Sequence, residues 1–321
     1  MFGAVCWRAP MPPDPRRPRH RVHRAEVRDG IALGYWRLGE GGLPLLLVHG
    51  FPETKRIFSR NLEPLAAAGF DVIVPDLRGT GDSDPAGDDV YDPAAYARDL
   101  HALVHDVLGL DRCGAVAGDV GAAVVMDLSL RFAGFVMRQC LFNTVAPALP
   151  EAYAAAGIPE DPPVAALPQF DYFVRQGSDA DGLVRELASC RQRRDYVAAM
   201  YGHRLWAASG SFDAQDVDYH TEPFARASAL RAAIAVYELA FGRRRLSEAP
   251  RLAETSPVPT LLLYGPEDPL VPASFMDRMA VAFPDHVGPF VVHGAGHFLQ
   301  WERPDVLNST VAAFVRDLLP G

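Results

Sequence analysis

Short apolar runs that stop abruptly at glycine, proline or aspartate alternate with amphipathic stretches along most of this 321-residue chain. That alternation constrains the fold more than any other feature. Leu45–Val48, followed by His49-Gly50, is apolar at every position. A strand with one wet face alternates in polarity, so a continuous run suits a strand buried on both faces. Phe70–Val74 reads as another buried strand, and Gly114–Ala117, Val136–Phe142, Thr260–Tyr264 and Phe290–His293 read as further strands. Ala25–Val27 and Ile31–Leu38 flank Asp29-Gly30 and read as a hairpin. Helical stretches are expected near Asn61–Ala68, from Asp92-Pro93 to Leu108, and over Ala122–Arg131, Ala273–Phe283 and Pro304–Leu318. The order βαβα predicts an α/β fold, a mostly parallel eight-stranded sheet with helices on both faces.

Between residues 145 and 250 the alternation stops. This segment is helical in character, rich in Ala, Arg, Tyr and Asp, with no clear buried strand. One sheet domain, 23–144 and 251–321, is therefore expected to carry a helical insertion, 145–250, as a cap. Residues 1–22 are Pro- and Arg-rich without hydrophobic periodicity, so they read as a disordered basic tail. They lack the apolar middle of a secretory signal. An apolar fraction of 49% suffices for a large core, and no apolar run approaches the ~20 residues of a membrane span. A net charge of −9 argues against nucleic-acid binding. The four cysteines, Cys6, Cys113, Cys140 and Cys190, are widely spaced and form no zinc pattern. They read as reduced, which fits a cytoplasmic location. A homodimer is left open.

The chemistry concentrates where strands end. Ala117-Gly118-Asp119-Val120-Gly121-Ala122 lies where a buried strand meets a buried helix. A sharp turn there crowds the backbone and requires small residues two before and two after its apex, which Ala117 and Gly121 provide. The apex side chain then projects above the sheet, in the manner of a nucleophile elbow with aspartate in place of serine. The Val120 N–H points to where an oxyanion would form. Asp119 as a plain helix cap is the simpler alternative. Gly294-Ala295-Gly296-His297 follows the last strand, and a histidine in such a loop is well placed for base catalysis. Gly265-Pro266-Glu267-Asp268 ends the previous strand, with Asp268 as the orienting acid and Glu267 as its competitor. Nucleophile, acid and histidine thus occur in the order Asp119, Asp268, His297.

Other polar clusters read as structural. Arg78-Gly79-Thr80-Gly81-Asp82 lacks the lysine of a phosphate loop. Asp82, Asp84, Asp88 and Asp89 lack calcium-loop spacing. His101 and His105 share a helix face without a metalloprotease glutamate. No metal and no cofactor is expected.

The motifs HGFPET, DLRGTGDSD, GDVGA, YGPEDPLVP and GAGHFLQWERP together resemble the α/β-hydrolase fold, in particular the epoxide hydrolases and their haloalkane- and haloacid-dehalogenase relatives. The resemblance covers Arg24–Phe142 and Val258–Leu318. It implies that the Phe51 N–H is the second oxyanion donor and that cap tyrosines protonate the leaving oxygen. The stretch 229–237 is similar to the helix carrying one such tyrosine, Tyr237, and 170–173 is similar to the region of the other, Tyr172. Many relatives have His and Trp around the nucleophile, where this chain has Gly118 and Val120. The missing Trp removes a halide ligand of the haloalkane dehalogenases, and Val120 cannot replace the arginine of fluoroacetate-type enzymes. The resemblance therefore favours hydrolysis of a small apolar epoxide by water. Dehalogenation on the same triad and silent ligand binding are the alternatives.

Overall fold

The computed structural model describes residues 20–319 except 164, 165, 203 and 205. Most of the residues read as a tail therefore lie outside the described residues. The sheet has eight strands: β1 (His23–Arg28), β2 (Ile31–Leu38), β3 (Leu43–Val48), β4 (Phe70–Pro75), β5 (Cys113–Gly118), β6 (Val136–Phe142), β7 (Thr260–Tyr264) and β8 (His286–Val291). Their order is β1-β2-β4-β3-β5-β6-β7-β8. The pairings β1–β2 and β2–β4 are antiparallel, and all others are parallel.

The period of two along each strand divides the core into two layers. Leu45, Leu47, Val72, Val74, Val116, Phe142, Leu261 and Leu263 face one layer. Leu46, Val48, Ile73, Ala115, Ala117, Leu141 and Leu262 face the other. Each layer is closed by helices, which is why the central strands carry no polar face. Helices α1 (Leu62–Ala67) and, near the C-terminus, Pro304–Phe314 bury Leu62, Leu65, Leu307 and Val311 in the first layer. Helices α2 (Pro93–His101), α3 (Asp119–Arg131) and the later Phe275–Ala282 pack on the second, through residues such as Leu100, Val124 and Met279. Asp92 caps α2 by accepting from the Ala95 N–H at 2.7 Å.

Between β6 and β7 the described residues hold only helical elements. They are α4 (Pro150–Ala155), α5 (Asp171–Ser178), α6 (Ala180–Glu186), α7 (Cys190–Tyr201), α8 (Ala214–Thr221), α9 (Ala227–Ile234) and α10 (Tyr237–Ala240), with short 3₁₀ turns. No helix among the described residues is long and apolar enough to cross a membrane.

Three expectations need correction. The last strand covers His286–Val291 instead of Phe290–His293. Gly288-Pro289 falls at a register shift in the pairing of β7 with the edge strand β8, a position where proline is tolerated. The helix from Pro93 changes to a π-helical turn over Ala102–Val107 before Leu108. Cys113 and Cys140 are free and buried in strands, whereas Cys190 is disulfide-bonded, so the reading of all four cysteines as reduced does not hold.

Candidate active site

Every residue nominated from the core sequence lies just beyond the C-terminal end of a parallel strand, the edge where open α/β sheets form crevices. At the end of β5 the chain turns directly into α3, and Asp119 is the turning residue. Its φ is +48°, in the left-handed region that L-residues rarely adopt. The turn brings α3 against the end of β3: a Cβ on Gly121 would lie 2.4 Å from the Val48 carbonyl oxygen. A Cβ on Gly50 would lie 2.4 Å from Asp119 Oδ1, so the HGFP loop approaches the carboxylate only because it has glycine there.

The Phe51 N–H donates to Asp119 Oδ1 at 2.7 Å, and the neighbouring Val120 N–H also lowers the carboxyl. The two N–H groups named from sequence therefore act on one group. His297 Nε2 lies 3.6 Å from Asp119 Oδ2, beyond hydrogen-bond length, and has no hydrogen-bond partner among the described residues. On the other side of the ring, Nδ1 is 2.8 Å from Asp268 Oδ2. Asp268 is buried and its second oxygen accepts from the Leu270 N–H at 2.9 Å; Glu267 is exposed. Geometry thus pairs His297 with Asp268 and not with its neighbour.

Electrostatics follow from this burial. Burial raises the Asp119 carboxyl, opposed by the His297 charge and the two N–H groups. Burial alone would favour a neutral His297, but the adjacent charges, Asp268 first, push it up to about 10. The carboxylates on either side of the ring favour its imidazolium form.

Tyr172 on α5 and Tyr237 at the start of α10 are buried, with ring centroids 6.0 Å apart and edge-on. Tyr237 also packs edge-on against Phe51 at 5.2 Å. Burial and then the Asp119 charge hold both phenols well above their usual range. Both hydroxyls are therefore protonated and within electrostatic reach of Asp119.

Three neighbours were not foreseen. Trp206 accepts from the His297 N–H at 2.6 Å through its carbonyl, and its ring stands edge-on to His297 at 5.3 Å and to Tyr172 at 4.7 Å. Tyr201 on α7 donates to the Pro52 carbonyl at 2.6 Å, tying the helical insertion to the HGFP loop. Glu53 is buried beneath that loop, accepts from the Gly50 N–H at 2.7 Å and from Gln300 Nε2 at 2.6 Å, and is raised by burial to about 7. Only the charge of a residue inside an apolar motif marks Glu53 in the sequence. Nothing local marks the other two.

The discounted clusters have structural partners. Arg78 is buried in a two-pronged pair with Asp99 of α2, both bonds 2.6 Å. Lys55, the sole lysine, is buried against Asp76 and Asp82, joining the HGFPET and DLRGTGDSD loops. His101, His105 and Asp106 are brought within 4.8 Å of one another, with the His101 ring stacked on Phe132 at 3.8 Å.

The family model for the alpha/beta hydrolase fold matches residues 44–304. The chain is 28% identical to "Epoxide hydrolase A" of Mycobacterium tuberculosis, over 90% of this chain and 96% of that protein. It is 27% identical to "2-hydroxy-6-oxononadienedioate/2-hydroxy-6-oxononatrienedioate hydrolase 2" of Pseudomonas putida, over 91% of this chain and 95% of that one. Its fold superposes on an epoxide hydrolase of Vigna radiata with a TM-score of 0.75 at 21% identity, covering 92% of this chain and 98% of that one. The chain belongs to the alpha/beta hydrolase fold family and is a hydrolase. The relatives' names differ in the substrate they act on, so the choice of reaction rests on the site.

Proposed function

We propose that this hydrolase opens an apolar epoxide to a vicinal diol, without a cofactor, through an ester on Asp119. The observation that carries the reading is the carboxylate at the elbow, held by the Phe51 N–H and facing His297. A carboxylate is already ionised and needs no base to attack carbon, whereas a serine at this apex would. Residues 145–250 act as the cap over the 23–144 and 251–321 core, and supply the acid.

In the first step Asp119 Oδ2 bonds an epoxide carbon, the C–O bond breaks, and the oxygen takes the proton of Tyr237, assisted by Tyr172. A hydroxyalkyl ester and a tyrosinate result. Esterification removes the Asp119 charge, one of the charges that hold the proton on His297. The imidazolium then gives its proton up and the tyrosinate is restored to phenol. Neutral His297, oriented by Asp268, now takes a proton from a water that attacks the ester carbonyl. The Phe51 and Val120 N–H groups stabilise the oxyanion, a contribution typically worth about 2.7–4 kcal/mol per donor. Collapse expels the diol oxygen, which takes the carboxyl proton, and the resting ion pair returns.

The test is a single turnover in ¹⁸O-labelled water. The label is expected in the Asp119 carboxylate, because water attacks the protein carbon. Label found in the diol after the first turnover, with Asp119 unlabelled, would mean direct attack of water on the epoxide and would end this reading.

A further inference from the structure

In the sheet, β5 and β8 are separated by β6 and β7. Strand spacing of ~4.8 Å puts their ends roughly 14 Å apart. The loop after β8 must therefore lean back across two strands to bring His297 to Asp119. Something has to hold it there.

Asn143, the residue after β6, stands in that gap. It is buried, at 1% exposure, and its φ is +41°. Its carbonyl accepts from the Asp119 N–H at 3.0 Å. Its Oδ1 accepts from the Gly265 N–H, on the loop of Asp268, at 2.8 Å. Its Nδ2 donates to the Gly296 carbonyl at 2.5 Å and to the His297 carbonyl at 3.3 Å. One residue thus bonds all three loops of the candidate triad. A flipped amide would set donor against donor and acceptor against acceptor, so the orientation is unique.

We propose that Asn143 is a positioning residue, which sets the reach of His297 to Asp119 by holding the histidine loop and the acid loop in one bracket. It touches no reacting atom. Its kinetic consequence rests on the ester mechanism above; its geometric consequence does not. Ester formation needs only Asp119 and the tyrosines, whereas ester hydrolysis needs His297 in place. Loss of the bracket therefore acts on the second half-reaction.

Two variants test this. Asn143→Gly keeps the left-handed backbone free of strain and removes both side-chain tethers. Asn143→Asp keeps the acceptor for Gly265 and turns the donor toward two carbonyls into an acceptor. Rapid mixing with styrene oxide, followed by mass spectrometry, gives the two rate constants, which report only folded sites. Ester formation is expected to change by less than ~3-fold and ester hydrolysis to fall by ~10- to 10²-fold in both variants, the range of a misplaced catalytic group. A second readout is the titration of the His297 ring by NMR in Asn143→Gly, expected to fall as Asp268 and the ring separate; Asn143→Asp, which adds a carboxylate near the ring, is read by its rates alone. Equal loss of both rates, or wild-type hydrolysis with an unmoved His297 titration, would overturn the proposal. If the wild type forms no ester at all, the epoxide reading fails instead. The titration then decides Asn143 by itself: a fall supports the bracket and an unmoved ring removes it.

Discussion

The Phe51 N–H donates 2.7 Å to Asp119 Oδ1, so the donor assigned to the oxyanion already holds the resting carboxylate. In the proposed mechanism the bound oxygen is the one that becomes the ester carbonyl. The other, Oδ2, is left facing His297. One carboxylate thus has its two oxygens committed to different tasks before substrate arrives, which is the preorganisation that electrostatic catalysis requires.

Removing the histidine should separate the two half-reactions. His297→Ala is expected to open the epoxide and stall as a covalent ester, heavier by one substrate molecule, while Asp119→Ala forms no adduct. Intact-protein mass spectrometry after brief exposure reads both. An adduct on the Asp119→Ala protein would place the nucleophile elsewhere.

The tyrosines should act on the first step. Tyr237→Phe is expected to slow ester formation by ~10²–10⁴-fold and leave ester hydrolysis nearly unchanged. Tyr172→Phe should lose less, and the double variant more than either. Pre-steady-state alkylation rates check this, and an unchanged rate in Tyr237→Phe would remove that residue from the acid role.

Tyr201 connects α7 to the loop that carries Phe51. Tyr201→Phe deletes the bond to the buried Pro52 carbonyl without changing shape. It is expected to cost about 1–3 kcal/mol in denaturant unfolding, the penalty of a buried acceptor left unpaired. A larger fall in kcat than in stability would show that the tether also aims the Phe51 N–H.

Glu53 gives the fold a pH dependence. Its carboxyl is raised from 4.5 to about 7, chiefly by burial, so the folded state binds the proton more tightly than the unfolded chain. This contribution to stability is full below pH 4.5 and is lost as pH rises to about 7. Glu53→Gln keeps the shape and cannot ionise. Its stability should change less than that of the wild type across this window, measured by denaturation midpoints at stepped pH. Parallel curves for the two proteins would mean that Glu53 titrates like an exposed carboxyl.

The elements that were legible in the sequence are those whose residues answer to their immediate neighbours. Val136–Phe142 and Thr260–Tyr264 appear at the expected bounds because their apolar residues, Cys140–Phe142 and Leu261–Leu263, end at the buried centre of the sheet, where both faces are covered. The elbow was legible because a turn with φ of +48° at Asp119 leaves no room for a side chain at Gly121. The chain order Asp119, Asp268, His297 carried the rest of the nomination, since the fold brings the ends of its strands to one edge. The choice of Asp268 over Glu267, the span of β8 and the distance from His297 to Asp119 were decided only in three dimensions. So were the neighbours Trp206, Tyr201, Glu53 and Asn143. Their partners lie far away along the chain: Asn143 bonds Gly296 across 153 residues and Tyr201 bonds Pro52 across 149. A local pattern records which face of an element is buried. It holds no record of what a polar atom meets there, because that depends on how separate strands and helices pack, and this the tertiary structure alone decides.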